Sequence, residues 1–286
     1  MKAGIASMAQ ALSLAPHIDN VWMFLYADEE YDFLGMKALV EKYGDLKPEL
    51  IVSSDGSDLK IGYGCRGLIE LRARVKGETG HPALGTGNNA IWGSFEALSQ
   101  LREYLARFEH PIMGKTSFNV AHVLGGAMIK DSISERGRLQ KVGQAGNVVP
   151  DVAEFVVDIR PSSPDLNLEG IIGVFGQGVR ALNLGFDIVE RTHDLGAWYT
   201  EKEQIEDYIQ VAQAVLGRPV SLENPGKSGY LDLQMLWDKV GRPPAFMFGG
   251  GIGDTAHTPT EHIPIENLIK ERDFFSAVLK KHSAKE

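Results

Sequence analysis

The sequence lacks several features that would place it in a functional class at once. It has a single cysteine, Cys65, in 286 residues, which excludes an internal disulfide and a zinc site built from several thiolates. No apolar run approaches the ~20 residues that a helix needs to cross a bilayer. The chain has 29 Lys and Arg against 38 Asp and Glu, without a long basic run, which argues against binding to nucleic acid or an anionic membrane. Together these absences favour a cytoplasmic protein in a reducing compartment.

The hydrophobic pattern indicates an α/β protein of two domains, one of them split by the other. Residues 1–62 and 195–286 alternate helix and strand signals, as is typical of a mostly parallel sheet with sites at the carboxyl ends of its strands. Residues 1–15 faintly resemble a secretory signal, but Ile5, Met8 and Leu12 follow the helical period, so we interpret this stretch as an amphipathic helix. The other elements that we predict in this domain are helices at 35–43, 201–216 and 264–281, a helix after Leu231, and strands at 21–27, 49–53, 219–222 and 245–248.

A different pattern occupies residues 63–194. Residues 68–75 alternate strictly between apolar and polar side chains, which predicts a strand with one wet face. The segments that follow predict a helix at 89–108, strands at 116–124 and 153–159, a helix at 168–184 and a strand at 186–191. The order β-α-β-β-α-β is that of a ferredoxin-like unit inserted into the chain.

Three adjacent carboxylates, Asp28, Glu29 and Glu30, end the apolar run 21–27. A buried strand that ends in three carboxylates needs something to offset their charge, because burying ionised carboxylates is costly. A divalent metal offers that, since one carboxylate can ligate it while a neighbour acts as general base. A solvated loop after a strand is the alternative.

Two further features fall at predicted strand ends of the split domain. Asp55 follows the strand at 49–53, and a glycine-rich run, 249–253, leads from the last strand to His257. Carboxylates and imidazole suit zinc, and also manganese or cobalt. The glycines alone also fit a flexible turn, and a phosphate cradle is disfavoured because no Lys-Ser/Thr follows them. His257 alone also fits an ordinary surface or core histidine.

Several short motifs, in this order, carry a resemblance to one enzyme family. They are a Met-Lys-x-Gly helix start at 1–4, the Glu29-Glu30 pair before Gly35, a strand-and-helix pattern at 67–91, Asn-Val-Val-Pro at 147–150, Asp-x-Arg at 158–160 and Ala-His-Thr-Pro-Thr-Glu at 256–261. They resemble the co-catalytic zinc amidohydrolases and exopeptidases, a family that includes acetylornithine deacetylase, succinyl-diaminopimelate desuccinylase, aminoacylase and glutamate carboxypeptidase. The resemblance implies a catalytic domain with an inserted lid that dimerises.

The resemblance also implies roles for individual residues in the split domain. Glu29 corresponds to the general base, Glu30 to a metal ligand, Asp55 to a ligand of the other metal and His257 to the last ligand. The family's site holds two zinc ions, with cobalt or manganese as alternatives. Asp232 stands where the family often has a Ser-Asp pair, but the residues around it depart from that pattern and its role stays open.

In the inserted domain, the resemblance implies that His81 reaches into the partner subunit's site, where it polarises the scissile carbonyl. A surface histidine in a Gly-His-Pro turn is the alternative. Arg160 corresponds to the residue that receives the substrate carboxylate, although a strand-end ion pair fits it equally well. Asn119 corresponds less closely to a substrate-site residue. The helix 89–108 and the first lid strand correspond to the dimer surface.

The beginning of the chain departs from the family. The family's catalytic domain has a strand bearing His-x-Asp, and a metal-bridging Asp directly before the Met-Lys. His17 and Asp19 have the His-x-Asp spacing but follow the first helix, where a polar connection is the simpler interpretation. Two of five expected ligands are therefore missing, so the chain is interpreted as a fragment or as a degenerate member.

These observations predict a metal-dependent hydrolase of amide bonds in N-acyl amino acids or small peptides with a free carboxylate. We expect a homodimer whose turnover is weak or absent, because the ligand set is incomplete. The main alternative is a non-catalytic, dimerising remnant of the family. A nucleotide-binding protein that uses residues 249–253 is a third hypothesis.

Overall fold

The structure, a computed structural model, describes residues 2–15 and 19–283. Within these residues the chain forms seven α-helices: α1 Lys2–Leu14, α2 Leu34–Tyr43, α3 Ala90–Leu105, α4 Leu168–Ala181, α5 Lys202–Leu216, α6 Leu233–Lys239 and α7 Ile265–Ser283. The strands are β1 Ile51–Ser53, β2 Lys60–Gly62, β3 Gly64–Cys65, β4 Leu68–Lys76, β5 Glu109–His110, β6 Gly114–Lys115, β7 Ser117–Gly126, β8 Val152–Arg160, β9 Gly185–Leu195, β10 Trp198–Tyr199 and β11 Ala245–Gly249. Met1 and His17 of the sequence motifs lie outside the described residues. In the part that is described, no helix is both long and apolar enough to cross a membrane.

The chain divides into two compact units. Met1–Cys65 and Trp198–Glu286 form one, here called the split unit, and Arg66–Ala197 form the other, the inserted unit. The α/β architecture with an inserted second domain agrees with the sequence-based fold class.

The split unit has its core around β11, in which every residue is buried. β1 pairs with β11 in parallel and β2 pairs with its other edge antiparallel. Because side chains alternate along a strand, Phe246 and Phe248 join a cluster with α5 and α7, whereas Ala245 and Met247 pack with Trp237 of α6. The sheet therefore lies between two helical layers. Its strands end at the loops that connect them to the neighbouring elements.

The inserted unit is a four-stranded antiparallel sheet in the order β7-β8-β4-β9 with α3 and α4 on one face. Together with the chain order β-α-β-β-α-β, this is the predicted ferredoxin-like arrangement. The alternation predicted at 68–75 is observed in β4, whose Ile69, Leu71, Ala73 and Val75 are buried in the core with the two helices. Asn89 begins α3 as its N-cap, since its side chain accepts hydrogen bonds from the amides of Ile91 and Trp92.

Two strand predictions are wrong. Residues 21–28 have no regular secondary structure, and Trp22, which is 59% exposed, contacts the rings of Phe24 and Tyr43 instead of joining a sheet. An apolar run becomes a strand only when a neighbouring strand takes up its backbone hydrogen bonds, and none pairs with it among the described residues. Residues 219–222 likewise form only one isolated bridge, from Leu222 to Ile61.

Candidate active site

The three adjacent carboxylates divide into one structural group and two groups that are available for chemistry. Asp28 adopts φ of 71°, and its carboxylate accepts a hydrogen bond of 3.0 Å from the amide of Leu34, the first residue of α2. Asp28 therefore helps to begin this helix. Glu29 and Glu30 follow in the turn before α2, with Glu29 half-buried and Glu30 exposed.

Glu30 and His257 meet although they come from opposite ends of the chain. The Nδ1 atom of His257 lies 3.5 Å from Oε1 of Glu30, and both side chains are more than half exposed. An exposed pair of this kind adds at most ~1 kcal/mol to stability. His257 has φ of 60°, a conformation that costs a non-glycine residue about 1–2 kcal/mol. The backbone is thus strained where it presents the imidazole to Glu30.

Asp55 follows β1 and lies within electrostatic range of this pair. Burial raises the pKa of Asp55, the charge of Glu30 raises it as well, and His257 lowers it. The three residues expected to ligate metal are therefore neighbours in the fold. Their side chains do not surround one point, because no group of three His, Cys, Asp or Glu residues in the described chain is arranged to hold a metal ion.

Glu29 and Asp232 form a second acidic group beside that of Glu30 and Asp55. Burial raises the pKa of Glu29 to about 7, and the charges of Asp55 and Asp232 contribute in the same direction. Asp232 is 1% exposed, and burial raises its pKa to about 6. Its Oδ1 accepts a hydrogen bond of 2.8 Å from the hydroxyl of Tyr26, while its Oδ2 has no hydrogen-bond partner.

Sequence reasoning missed Tyr26 and left Asp232 without a role. Tyr26 stands in an apolar run, where an aromatic side chain is taken for core, and nothing in the sequence pairs it with a residue that far along the chain. The partial Ser-Asp resemblance was the only signal for Asp232. Together with Glu29 they form an acidic cluster near Glu30.

The chemistry of these donors fits a divalent cation. Carboxylates and an imidazole are the ligands that zinc and related metals take. Burial raises the pKa values of Glu29, Asp55 and Asp232, and the Oδ2 of Asp232 is a buried carboxylate oxygen for which the described residues provide no hydrogen-bond donor. A cation would remove this electrostatic cost.

The expected residues of the inserted unit are exposed or half-exposed. His81 is the N-cap of a short 3₁₀ helix, Pro82–Leu84, and its Nδ1 accepts a hydrogen bond of 3.3 Å from the amide of Ala83. Arg160 donates from Nε and Nη2 to both oxygens of Asp158, at 2.9 Å each, so its guanidinium fork faces a carboxylate of its own strand. Asn119 lies opposite Asp158 on β7. Asn119, Asp158 and Arg160 thus share the sheet face that points away from the helices.

Comparison with known proteins shows which proteins the chain is similar to. Residues 63–183 match the peptidase dimerisation domain of the M20 family. The chain is also 25% identical over 269 residues to an acetylornithine deacetylase of Erwinia tasmaniensis, a match that covers 91% of this chain and 63% of the relative. The chain is therefore similar to M20 metallopeptidases, and its inserted unit matches their dimerisation domain. It spans less than two thirds of the length of that deacetylase.

Solved structures agree with this at the level of the fold. The aminopeptidase PepT of Bacillus cereus is similar with a TM-score of 0.66 and 20% identity, over 99% of this chain and 70% of PepT. The M20 family metallo-carboxypeptidase Sso-CP2 of Sulfolobus solfataricus is similar with a TM-score of 0.58 and 15% identity, over 90% of this chain and 69% of that protein. The inserted unit that resembles a lid in sequence thus corresponds to the M20 dimerisation domain.

Proposed function

We propose that the chain carries the site of a metal-dependent amide hydrolase that acts on N-acyl amino acids or small peptides with a free carboxylate. The observation that supports this most is the meeting of Glu30 and His257, with Asp55 in electrostatic range of both. In the proposed site Glu30, Asp55 and His257 hold zinc, or cobalt or manganese in its place. When bound, such an ion supplies a Lewis acid that polarises the scissile carbonyl.

Glu29 is the proposed general base. It precedes a proposed ligand in the chain and is half-buried, which keeps its carboxylate close to the reacting atoms and partly shielded from bulk water. Glu29 takes a proton from the attacking water while oxygen bonds to the amide carbon. It then gives this proton to the nitrogen as the carbon–nitrogen bond breaks, which leaves a carboxylic acid and an amine, and the acid's proton then passes to the amine.

The inserted unit supplies the proposed substrate contacts and the dimer interface. The partner subunit's His81 stabilises the oxyanion, and Arg160 with Asn119 binds the substrate carboxylate. For Arg160 this requires the incoming carboxylate to exchange with Asp158, its present partner.

The dimer surface that we propose differs from the one that the resemblance implied. β4, the first lid strand, lies inside the sheet and has a neighbour on each side, so it offers no free edge. β7 is at the end of the sheet beside α3, and its Val120 and Val123 are exposed, as are Trp92 and Phe95 of α3. We therefore assign the homodimer interface to β7 and α3.

A non-catalytic, dimerising member is the second candidate. It is favoured by the wide exposure of Glu30 and His257 and by the lack, among the described residues, of three side chains arranged to hold an ion. For the same reason we propose that turnover by this 286-residue chain is weak. The buried free thiol of Cys65 agrees with the proposed cytoplasmic location.

A hydrolysis assay separates the two candidates. The purified chain is supplied with zinc, cobalt or manganese and tested on N-acetyl and N-succinyl amino acids and on dipeptides. We expect slow hydrolysis that is lost in Glu29→Gln and kept in Glu41→Gln, which changes an exposed glutamate of α2. Hydrolysis that persists in Glu29→Gln contradicts the proposed base. No hydrolysis with any of these metals supports the non-catalytic member.

A further inference from the structure

The glycine-rich run between β11 and His257 is held by hydrogen bonds and is not a loose turn. On one side it contacts the turn that precedes β2. The amide of Leu59 donates to the carbonyl oxygen of Gly249 at 2.9 Å, and the amide of Asp58 donates to that of Gly251 at 2.7 Å. The amide of Gly253 in turn donates to the Asp58 carboxylate at 3.3 Å.

On the other side the run is held by α7 through one residue, Gly250. The Nδ2 of Asn267 donates to the Gly250 carbonyl oxygen at 3.0 Å. The Oε2 of Glu271 accepts a hydrogen bond from the Gly250 amide at 3.2 Å. Asn267 and Glu271 are one helical turn apart and lie on the same face of α7. Together they form hydrogen bonds with both the amide and the carbonyl oxygen of Gly250.

A side chain at Gly250 would crowd this contact. A Cβ atom placed there would lie 3.0 Å from the backbone oxygen of Asn267 and 3.0 Å from Cδ1 of Ile263. The close approach of the loop to α7 therefore depends on the missing side chain.

Glu271 is an unusual residue to find at this position. It is 1% exposed, and its Oε1 has no hydrogen-bond partner among the described residues. Burying a carboxyl group with one oxygen unpaired costs free energy, which an apolar side chain of similar size would not. It accepts the hydrogen bond from the Gly250 amide, and Ser7 of α1 is its other polar neighbour.

The remaining chain from Gly250 to His257 is also braced. Gly253–Thr255 forms a 3₁₀ turn, in which the Thr255 hydroxyl donates to the Ile252 carbonyl oxygen at 2.8 Å. The His257 amide donates to the Glu261 carboxylate at 3.2 Å. A displacement at Gly250 is therefore passed along a stiff segment to the imidazole.

We propose that Asn267 and Glu271 are positioning residues that clamp Gly250 and thereby fix the direction in which the loop presents His257 to Glu30. This inference rests on the proposed function of His257 as a metal ligand. In this proposal α7 supplies no metal ligand itself, but it orients His257.

The test uses Asn267→Ala, Glu271→Ala and the conservative Glu271→Gln, which keeps an oxygen acceptor for the Gly250 amide. Glu266→Gln changes an exposed glutamate on the same helix and is the matched control. Amide hydrogen exchange is measured over residues 249–257 and over α5, and zinc affinity is measured by calorimetry with zinc alone.

We expect both alanine variants to exchange about tenfold faster over 249–257, as follows from losing about one net hydrogen bond, while α5 is unchanged. Zinc affinity should fall about tenfold or more, the usual cost of losing a residue that orients a metal ligand. Glu271→Gln and Glu266→Gln should stay within about twofold of the wild type in both measurements.

Three results would overturn the clamp. They are unchanged exchange in Asn267→Ala, equal behaviour of Glu271→Gln and Glu271→Ala, and a loosened loop with unaltered zinc affinity. Should the wild type bind no zinc, the proposed function fails, and unchanged exchange over 249–257 in the alanine variants would still refute the clamp on its own.

Discussion

Two buried carboxylates, Glu154 in the inserted unit and Asp232 in the split unit, are each 1% exposed and have opposite surroundings. Glu154 accepts hydrogen bonds from Arg72 at 3.0 Å, from Arg74 at 2.6 Å and from the amide of Leu139. Asp232 accepts a hydrogen bond from Tyr26 and has no arginine or lysine partner among the described residues, and its acidic neighbours include Asp55 and Glu29.

The difference separates a structural charge from a functional one. In the inserted unit the buried negative charge is neutralised by residues of the same sheet, so nothing further is needed. In the split unit the charge of Asp232 meets no cationic side chain of the described residues and lies near Glu29 and Asp55, and such an environment is typical of sites that bind a cation or move a proton.

The largest effect on stability is expected at Glu154, whose buried charge is fully paired. Glu154→Ala leaves two arginines buried without their partner, and we expect the free energy of unfolding to fall by about 3–5 kcal/mol. Chemical denaturation measures this. Glu169→Ala, which removes the exposed partner of Arg191, should cost less than about 1 kcal/mol. Equal losses in the two variants would mean that burial does not set the strength of these pairs.

A second expectation concerns the pH dependence of Glu271. Burial raises the pKa of this carboxyl to about 7. A raised carboxyl pKa favours the protonated form in the folded state, so this group's stabilisation is complete below its ordinary pKa and is lost as the pH rises through 7. Between pH 5 and pH 8 the free energy of unfolding should fall by about 3 kcal/mol on its account. Denaturation at several pH values should show a flatter profile in Glu271→Gln, and an unchanged slope would contradict this.

Removing the buried charge is expected to change the free energy of unfolding in opposite directions at Glu154 and at Asp232. Asp232→Asn removes an uncompensated charge but keeps an oxygen that can accept the Tyr26 hydrogen bond. In metal-free buffer at pH 8, above the raised pKa, we expect the variant to be more stable by about 2 kcal/mol. Asp238→Asn, an exposed change in the same helix, should stay within about 0.5 kcal/mol. A destabilised Asp232→Asn would put Asp232 in the same class as Glu154.

The smallest effect on stability is expected at the proposed metal site itself. His257→Ala breaks only an exposed pair, so the free energy of unfolding should change by less than about 1 kcal/mol. The same variant should lose the rise in melting temperature that zinc gives the wild type, since a ligand stabilises only the state that binds it. A thermal shift measured with and without zinc tests both statements, and an equal zinc-induced shift in wild type and variant would exclude His257 as a ligand.

The inserted unit was predictable from the sequence because its strands are amphipathic and its helices follow a clear period. β4 alternates as expected, and Asn89 caps α3 where the helix was predicted to start. The stretch 21–27 was not predictable, because its apolar residues indicate a strand but cannot say whether a partner strand is present.

The candidate site was predictable only in part. Motif order led to Glu30, Asp55 and His257, which the fold brings near one another, but not to the way their side chains point. Tyr26 and Glu271 gave no signal at all: one looks like a core aromatic and the other like an ordinary charge on a surface helix. Their contacts join positions far apart in the chain, and such contacts are set by packing and not by local pattern.

Zinc titration by calorimetry tests most directly whether Glu30, Asp55 and His257 belong to one metal-binding centre. The wild type should bind zinc, and Glu30→Ala, Asp55→Ala and His257→Ala should each weaken binding at least about tenfold. His262→Ala, which removes an exposed histidine of the same loop, should bind as the wild type does. A wild type that binds no zinc, or three variants that bind it unchanged, would contradict the account.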